Sequence, residues 1–357
     1  MELASRTTLR LGGPAARLVE ARTEAEIVSA VTEADRAEEE LLVLAGGSNV
    51  VVADAGFPGV VVLIASAGIE RTEGGERVVL TVQAGEDWDA FVARTVEEGL
   101  AGVECLSGIP GSVGATPIQN VGAYGQDVAE TVVGVRAYDR QAGAVLELDR
   151  AACAFSYRSS AFKREPGRWV VLAVTFAFDV VHGSTSKPIR YAELARKLDV
   201  GVGGRAPLSE VREAVLALRR AKGMVVDPAD PDSVSAGSFF TNPILTTMEL
   251  RALERRIAER LGSEVRMPRY LEADGRIKAS AAWLIERAGF RMGHGDPATI
   301  AISSKHALAL TNRGAGTTLQ LVALAREIAA GVEEAFGVTL VPEPVFVGHV
   351  WPGHGAR

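Results

Sequence analysis

The segment from Gly108 to Gly125 constrains the fold of this chain more than any other feature of the sequence. It reads Gly-Ile-Pro-Gly-Ser-Val-Gly-Ala-Thr-Pro-Ile-Gln-Asn-Val-Gly-Ala-Tyr-Gly, with five glycines and two prolines in one short stretch. Glycines leave backbone N–H groups uncovered by side chains, so a flat or anionic ligand can approach closely, and prolines remove alternative conformations. The pattern therefore predicts a shaped loop that cradles a cofactor; an ordinary surface loop is the alternative.

A second, shorter glycine motif, Gly46-Gly47-Ser48-Asn49, lies between two apolar runs at 41–45 and 50–52. Runs of this kind favour strands, so the motif is predicted to form the turn that joins them. Its free backbone N–H groups, together with the side chains of Ser48 and Asn49, are suited to hold a diphosphate. A plain turn is the alternative here too.

The rest of the chain alternates helical and strand patterns, which predicts an α+β protein. A capping-box pattern at Thr23 and a cap at Asp87 each precede apolar positions at helical spacing. Further helices are predicted at 209–222, 248–261 and 280–288 and along the apolar stripe from Leu321 to Phe336. Strands are predicted at 60–64, 78–82, 132–138, 145–148 and 170–178, the last three in a mainly antiparallel sheet.

Composition and missing motifs argue against several function classes. A formal net charge of -7 argues against a non-specific nucleic-acid binder, and neither an apolar leader nor a membrane-length apolar run is present. There is no P-loop and no Gly-x-Ser-x-Gly elbow. With only Cys105 and Cys153, no disulfide framework is predicted, and no metal site is predicted because the histidines never pair at ligand spacing (His182, His294, His306, His349 and His354). We expect a cytoplasmic globular protein with no nucleic-acid or membrane partner.

Several motifs, taken in order along the chain, resemble those of one enzyme family. The segments 46–49, 108–125, 155–163 and 237–243, with 8–13 near the start and 342–348 near the end, are similar to those of the UDP-N-acetylenolpyruvoylglucosamine reductases of the long-form subclass. Ala45 stands where the family usually has a glycine, which is a mild departure. The resemblance implies an α+β protein with a two-domain FAD-binding fold of the vanillyl-alcohol-oxidase type, followed by a C-terminal α+β substrate-binding domain.

The resemblance also implies a domain plan. A first FAD-binding subdomain is expected at 1–66, with the tail 344–357 returning to it. A second FAD-binding subdomain is expected at 67–227 and the substrate-binding domain at 228–343. The Asp- and Pro-rich stretch at 227–231 is the best linker candidate in the sequence.

FAD as bound cofactor and NADPH as reductant are further implications of the resemblance. The positions that match the family's cofactor loops all lie in the two glycine motifs. They are Gly46, Gly47, Ser48, Asn49, Gly108, Ile109, Pro110, Gly111, Ser112, Gly114, Ala115, Asn120, Gly122, Ala123 and Tyr124.

Arg158, Ser238 and Glu343 match the family's catalytic residues. The reaction that the resemblance implies is reduction of UDP-N-acetylglucosamine enolpyruvate to UDP-N-acetylmuramate, a peptidoglycan precursor. Arg158 would contact the enolpyruvyl carboxylate, because a planar guanidinium stays charged and matches a carboxylate. Ser238 would donate a proton, and Glu343, set between two prolines, would orient and polarise the enolpyruvyl group.

A further set of positions resembles residues that bind the nucleotide-sugar substrate. They are Tyr191, Lys222, Asn242, Lys278 and Arg291. The implied partner is this small molecule alone, bound by a monomer. Two other functions stay open at this point: an FAD-dependent oxidase of a small alcohol or hydroxy acid, and a non-redox nucleotide-sugar binding protein.

Overall fold

The computed structural model of the chain describes residues 1–74, 77–180, 184–272, 274–349 and 351. His182, His354 and the predicted tail from residue 352 onward lie outside the described residues. No helix within these ranges is both long and apolar enough to cross a membrane.

The helices and strands follow one another along the whole chain. The helices are α1 (Glu24–Arg36), α2 (Trp88–Glu97), α3 (Arg150–Cys153), α4 (Ala161–Arg164), α5 (Ala192–Lys197), α6 (Leu208–Ala221), α7 (Thr247–Leu261), α8 (Ala281–Ala288) and α9 (Thr318–Phe336). The strands are β1 (Ala15–Ala21), β2 (Leu41–Leu44), β3 (Val50–Val52), β4 (Phe57–Ile64), β5 (Ile69–Gly74), β6 (Arg77–Gln83), β7 (Leu100–Ala101), β8 (Gly122–Ala123), β9 (Gln126–Asp127), β10 (Val132–Asp139), β11 (Ala144–Asp149), β12 (Trp169–Val180), β13 (Ser235–Ser238), β14 (Ile244–Leu245), β15 (Arg269–Leu271), β16 (Ile277–Ala279), β17 (Ile300–Ile302), β18 (Ala309–Asn312) and β19 (Val345–Val347). Every helix and strand predicted from the sequence is confirmed to within a few residues.

The chain folds into two compact units, and each is discontinuous in sequence. The first unit contains residue 1, 15–47 and 57–221, and the second contains 2–14, 48–56 and 222–357. The short glycine motif at 46–49 is therefore divided, with its two glycines in the first unit and its Ser-Asn pair in the second.

The first unit contains a parallel sheet and an antiparallel sheet. The parallel sheet has the strand order β1-β4-β2, and α1 packs against it through buried Ile27 and Val31. Thr23 caps α1 as predicted by accepting from the Glu26 N–H. The Glu26 carboxylate accepts from the Arg22 N–H at 2.7 Å, one residue before the position that a capping box would use.

The antiparallel sheet of the first unit supports a large apolar core. Its strand order is β11-β10-β12-β6-β5, with β7 beside β12. Phe176 and Phe178 of β12 pack against Trp88 and Phe91 of α2, with ring centroids 5.0–6.3 Å apart. Burying each of these rings contributes roughly 1.5–3 kcal/mol, so the core holds α2 firmly on the sheet. Asp87 caps this helix by accepting from the Ala90 N–H at 2.8 Å.

The second unit is built from small sheets covered by α7, α8 and α9. The strand orders are β13-β18-β17 and β14-β16-β15, and β3 pairs in parallel with β19. The predicted stripe of α9 is buried throughout, at Leu321, Leu324, Ala325, Ile328, Val332 and Phe336. Capping boxes at Thr246 and Thr317 begin α7 and α9, which fixes where these two helices start.

Candidate active site

In the first unit, the two predicted cofactor loops touch. A Cβ added at Gly46 would lie 2.5 Å from the Gly111 Cα and 3.2 Å from the Ser112 N atom. Backbones can approach this closely only where neither residue carries a side chain. Gly47 and Gly111 also have φ values of +60° and +119°, which favour glycine. The structure therefore brings the motif that follows β2 onto the long glycine loop.

The long glycine loop is held in shape by its neighbours on and around α2. The Gly108 N–H donates to Asp89 Oδ1 at 2.6 Å, and the Gly111 carbonyl accepts from the Trp88 N–H at 3.0 Å. The Asp89 carboxylate also accepts hydrogen bonds from Nη1 and Nη2 of Arg212, at 2.6 and 2.9 Å. Burial alone would raise the pKa of Asp89, but the hydrogen bonds from Arg212 and Gly108 outweigh it, so the pKa lies below its ordinary value.

Some of the loop glycines serve packing, which the sequence could not distinguish from ligand binding. The Gly114 N–H donates to the Ala84 carbonyl at 2.9 Å, and a Cβ at Gly114 would lie 2.5 Å from the Ala84 side chain. The N–H groups of Gly108 and Gly114 are thus occupied within the protein. No backbone carbonyl among the described residues accepts from the N–H of Gly46, Gly47 or Gly111.

A buried hydroxyl marks the point where the two loops meet. Ser112 is 5% exposed, and its Oγ has no hydrogen-bond partner among the described residues. A buried polar atom without a partner costs about 1–3 kcal/mol, so such atoms usually indicate a missing group. A hydroxyl donor beside the backbone N–H groups of Gly46, Gly47 and Gly111 is suited to an anionic group such as a phosphate.

Arg158 lies against the end of the glycine loop, in the same unit. It occupies a tight turn closed by hydrogen bonds between Ser156 and Ser159 and has a φ of +51°. A left-handed conformation is unfavourable for arginine, and strain of this kind often occurs at functional sites. Its Nη2 donates to the Gly122 carbonyl at 2.8 Å, and the Asn120 side chain donates to the Ser156 carbonyl at 3.2 Å. The predicted catalytic guanidinium is therefore fixed beside predicted cofactor residues.

Tyr191 packs on the same loop. Its ring meets the Tyr124 ring edge-on, with centroids 5.4 Å apart. The preceding residue, Arg190, forms a two-pronged ion pair with Glu130 at 2.9 and 3.2 Å, and a Cβ at Gly125 would lie 3.0 Å from the Arg190 Cβ. A predicted substrate residue and a predicted cofactor residue are thus in direct contact.

In the second unit, the backbone brings the segments of Ser238 and Glu343 together. Ser238 ends β13, and the next residue, Phe239, accepts at its carbonyl from the Glu343 N–H at 2.8 Å. Asn49 joins this arrangement, because its side-chain amide donates to the Glu343 carbonyl at 3.3 Å and its own carbonyl accepts from the Val345 N–H at 3.0 Å. Two predicted catalytic residues, distant in sequence, therefore lie on paired segments.

Asn242 and Lys278 also lie on connected segments of the second unit. Asn242 Oδ1 accepts from the Ala281 N–H at 3.0 Å, at the first turn of α8, while Ile244 of β14 pairs with Lys278 of β16. The Lys278 Nζ is 2.6 Å from Glu272 Oε1. The predicted phosphate-binding lysine therefore already has a carboxylate partner.

The other two predicted substrate residues of the second unit are Lys222 and Arg291. Lys222 begins the last segment of the second unit, and Gly223 after it packs against Asp232, with an added Cβ 2.8 Å from the Asp232 Cβ. Arg291 lies in an exposed turn after α8, where its carbonyl accepts from the His294 N–H at 2.9 Å. These contacts fix the backbone on which Lys222 and Arg291 lie.

Sequence reasoning missed the residues that hold these segments in place. Asp89 and Arg212 support the glycine loop, and Thr8 donates to the Ser235 carbonyl at 2.7 Å at the start of β13. Arg219 of α6 is buried, and burial lowers its pKa to about 10 despite the charges of Tyr124 and Asp89. These are tertiary interactions between charged or hydroxyl groups that are common on any helix or loop, so no local pattern distinguishes them.

Comparison with known proteins finds two domain families and full-length relatives that match this chain. The FAD binding domain family matches residues 15–149, and the C-terminal domain family of UDP-N-acetylenolpyruvoylglucosamine reductase matches residues 228–347. The chain is 57% identical over 347 residues to the UDP-N-acetylenolpyruvoylglucosamine reductase of Thermobifida fusca, covering 97% of this chain and 96% of the relative. It is 58% identical to that of Streptomyces coelicolor, covering 97% of this chain and 89% of the relative.

The chain belongs to the UDP-N-acetylenolpyruvoylglucosamine reductase family. It is therefore an FAD-dependent oxidoreductase, with FAD as its cofactor and NADPH as the reductant, and its family connects it with peptidoglycan synthesis. The crystal structure of the reductase from Thermus caldophilus is similar in fold, with a TM-score of 0.63 at 23% identity over 97% of each chain. The predicted α+β class, with an FAD-binding fold and a further C-terminal domain, is confirmed.

The residues at the loop junction fit FAD. The cofactor carries a diphosphate, and the N–H groups of Gly46, Gly47 and Gly111, which no backbone carbonyl of the described residues accepts from, are suited to donate to its oxygens. The buried Ser112 Oγ is an additional donor for the same kind of group. This chemistry agrees with the family match over 15–149, within which the junction lies.

Proposed function

We propose that the chain reduces UDP-N-acetylglucosamine enolpyruvate to UDP-N-acetylmuramate with electrons from NADPH, in the supply of peptidoglycan precursors. The proposal combines family membership with a donor set suited to this chemistry. Reduction adds one hydride and one proton across the enolpyruvyl double bond, so the protein must stabilise negative charge next to the carboxylate and deliver a proton. When bound, FAD supplies the hydride transfer.

The observation that carries the proposal is the pairing of the Ser238 segment with the Glu343 segment in the second unit. The Glu343 N–H donates to the carbonyl next to Ser238, and Pro342 forms a bridge with Phe240 on the same pair of segments. A hydroxyl and a carboxylate on fixed, adjacent backbone are a suitable source of a proton and of a polarising charge.

Each predicted catalytic residue has a distinct task. Ser238 donates its proton to the carbon that bears the carboxylate, completing the lactyl ether. Glu343 orients and polarises the enolpyruvyl group, and the prolines on either side restrict its backbone. Arg158 stabilises the charge that develops on the carboxylate, and its strained turn at the glycine loop keeps its guanidinium in place.

The cofactor residues divide into those that contact FAD and those that shape the loop. Gly46, Gly47, Gly111 and Ser112 are proposed to donate to the diphosphate, since their N–H or hydroxyl groups are not taken by backbone carbonyls of the described residues. Gly114 is proposed to serve packing on Ala84. The remaining positions of the two loops stay predictions.

The substrate is proposed to be held through its diphosphate and sugar by Tyr191, Lys222, Asn242, Lys278 and Arg291. Lysine is a natural point charge for phosphate, and the tyrosine ring offers a face and a hydroxyl. We further propose that the enzyme acts in the cytoplasm as a monomer without nucleic-acid partners. The domain plan of 1–66 with the returning tail 344–357, 67–227 and 228–343 also stays a prediction.

The test is an anaerobic visible spectrum of the purified protein and of its Ser238→Ala variant. In the wild type, the flavin band is expected to bleach with NADPH and to return with UDP-N-acetylglucosamine enolpyruvate. In Ser238→Ala, bleaching stays near wild type, while the return slows by roughly 10²–10⁴-fold because the proton donor is lost. Repeating the first step with NADH measures the preference for NADPH.

Each other outcome contradicts a definite part of the proposal. A band that bleaches but returns only with oxygen indicates the oxidase function. Folded protein that binds UDP sugars but has no flavin band indicates a non-redox binding protein. Equal slowing of both half-reactions in Ser238→Ala removes Ser238 from the role of proton donor.

A further inference from the structure

Lys278 forms an ion pair with Glu272, a residue of the same β-hairpin. It lies on β16, paired with β15, and only 22% of its side chain and 21% of that of Glu272 are exposed at their 2.6 Å contact. The turn between the strands is closed by two backbone hydrogen bonds, from Glu272 to the Arg276 carbonyl at 2.9 Å and from Gly275 to the Glu272 carbonyl at 3.0 Å. These hydrogen bonds hold the Glu272 backbone beside β16, the strand that carries Lys278.

The ion pair is connected to the segment that carries Asn242. Ile244 pairs with Lys278 across β14 and β16, and the Asn242 side chain accepts from the Ala281 N–H just after β16. The Tyr270 ring centroid lies 6.0 Å from the Lys278 Nζ, on the neighbouring strand. A charged group that reaches Lys278 from this segment therefore also comes close to the Glu272 carboxylate.

We propose that Glu272 tunes the affinity of the site for the anionic diphosphate of the substrate. It acts as an internal counter-ion that must release or share Lys278 when the ligand binds. Releasing Glu272 offsets part of the attraction between Lys278 and the diphosphate, and the carboxylate also repels the ligand. The inference rests on the proposed function, because it takes Lys278 to be a contact of the substrate diphosphate.

Glu272→Gln tests the proposal, because it keeps the size and an acceptor oxygen of the side chain but removes the charge. Since a repulsive charge is lost from a partly exposed site, the KM for the substrate and the Kd of UDP should fall about three- to tenfold, with kcat unchanged. The Kd of uridine, which has no phosphate, should not change. Added salt should reduce the difference between variant and wild type. Titration of the FAD-loaded protein with UDP and uridine, together with steady-state kinetics, measures all of these quantities.

Two further variants make the result decisive. Asp274→Asn removes a charge from the same hairpin, but its carboxylate faces Arg276 at 2.8 Å, so UDP binding should change less than twofold, as expected for an exposed charge. Lys278→Met should raise the KM. If Lys278→Met has no effect, the proposed contact fails, and the inference fails with it. If Lys278→Met weakens binding while Glu272→Gln leaves it unchanged or weaker, the contact stands and the role of Glu272 is refuted.

Discussion

Replacing Gly46 by alanine perturbs the cradle at the point where its two loops touch. The new Cβ would lie 2.5 Å from the Gly111 Cα and 3.0 Å from its carbonyl carbon, whereas ordinary contact begins at 3.4 Å. Both clashing atoms belong to the backbone, so no side-chain rotation relieves the overlap. The loops must therefore separate by about 0.9 Å to reach ordinary contact.

A separation of this size is large for a preorganised site. Misplacing binding groups by about 1 Å costs on the order of 10²-fold in function. We therefore expect the Kd of FAD to rise about 100-fold, which corresponds to about 2.8 kcal/mol. The fold should persist, because Gly46 is exposed and lies outside the buried clusters of the first unit.

The assay is titration of apoprotein with FAD, followed by fluorescence quenching, with far-UV circular dichroism and Tm as checks of folding. Gly201→Ala is the matched control, because an added Cβ at Gly201 would meet nothing within 4 Å and the residue belongs to the same unit. If both folded variants bind FAD as tightly as the wild type, the loop junction does not hold the cofactor and the reasoning is refuted.

Three further predictions concern the residues around this loop. Arg158→Lys should leave reduction of FAD by NADPH intact but slow reoxidation by the substrate about 10²–10³-fold, because the planar fork is lost while the charge is kept; stopped-flow absorbance measures both steps, and normal reoxidation would exclude the role. The fold holds the pKa of Asp89 below its ordinary value. The Asp89 carboxylate therefore stabilises the folded protein fully at pH values above the ordinary carboxyl pKa, and this stabilisation is lost as the pH falls through the lowered pKa. FAD should therefore be released in acid, and Asp89→Asn should flatten this pH dependence of FAD release; an unchanged profile in the variant would contradict the assignment. Gly125→Ala, at a φ of +85° and against Arg190, should raise the KM about three- to tenfold through the Tyr191 segment while leaving the Kd of FAD unchanged; an unaltered KM would show that this contact is dispensable.

Local patterns predicted the elements of this fold, because caps and periodicity are properties of neighbouring residues. The cap at Asp87 and the buried stripe of α9 are where the sequence placed them. Strand partners are different, because pairing depends on contacts far apart in sequence. The run 50–52 is predicted as a strand, but nothing in it indicates that β3 pairs with β19 near the chain end, and only the family resemblance leads us to expect that the tail 344–357 returns to 1–66. For the same reason Asp89 was missed: an acid in the first turn of a helix is ordinary there, and its bonds to Gly108 and Arg212 are tertiary.

The short glycine motif shows that a residue predicted to contact the cofactor can also hold another segment in place. All four of its residues were predicted to contact the cofactor, since a Gly-Gly-Ser-Asn turn after a strand is suited to a diphosphate. In the structure the motif changes unit after Gly47, and Asn49 uses its side-chain amide and its carbonyl to hold the backbone at Glu343 and Val345. A polar residue beside a cofactor loop can thus serve the catalytic segment of another part of the chain. Asn49 therefore links the predicted cofactor motif to the position of the proposed catalytic carboxylate.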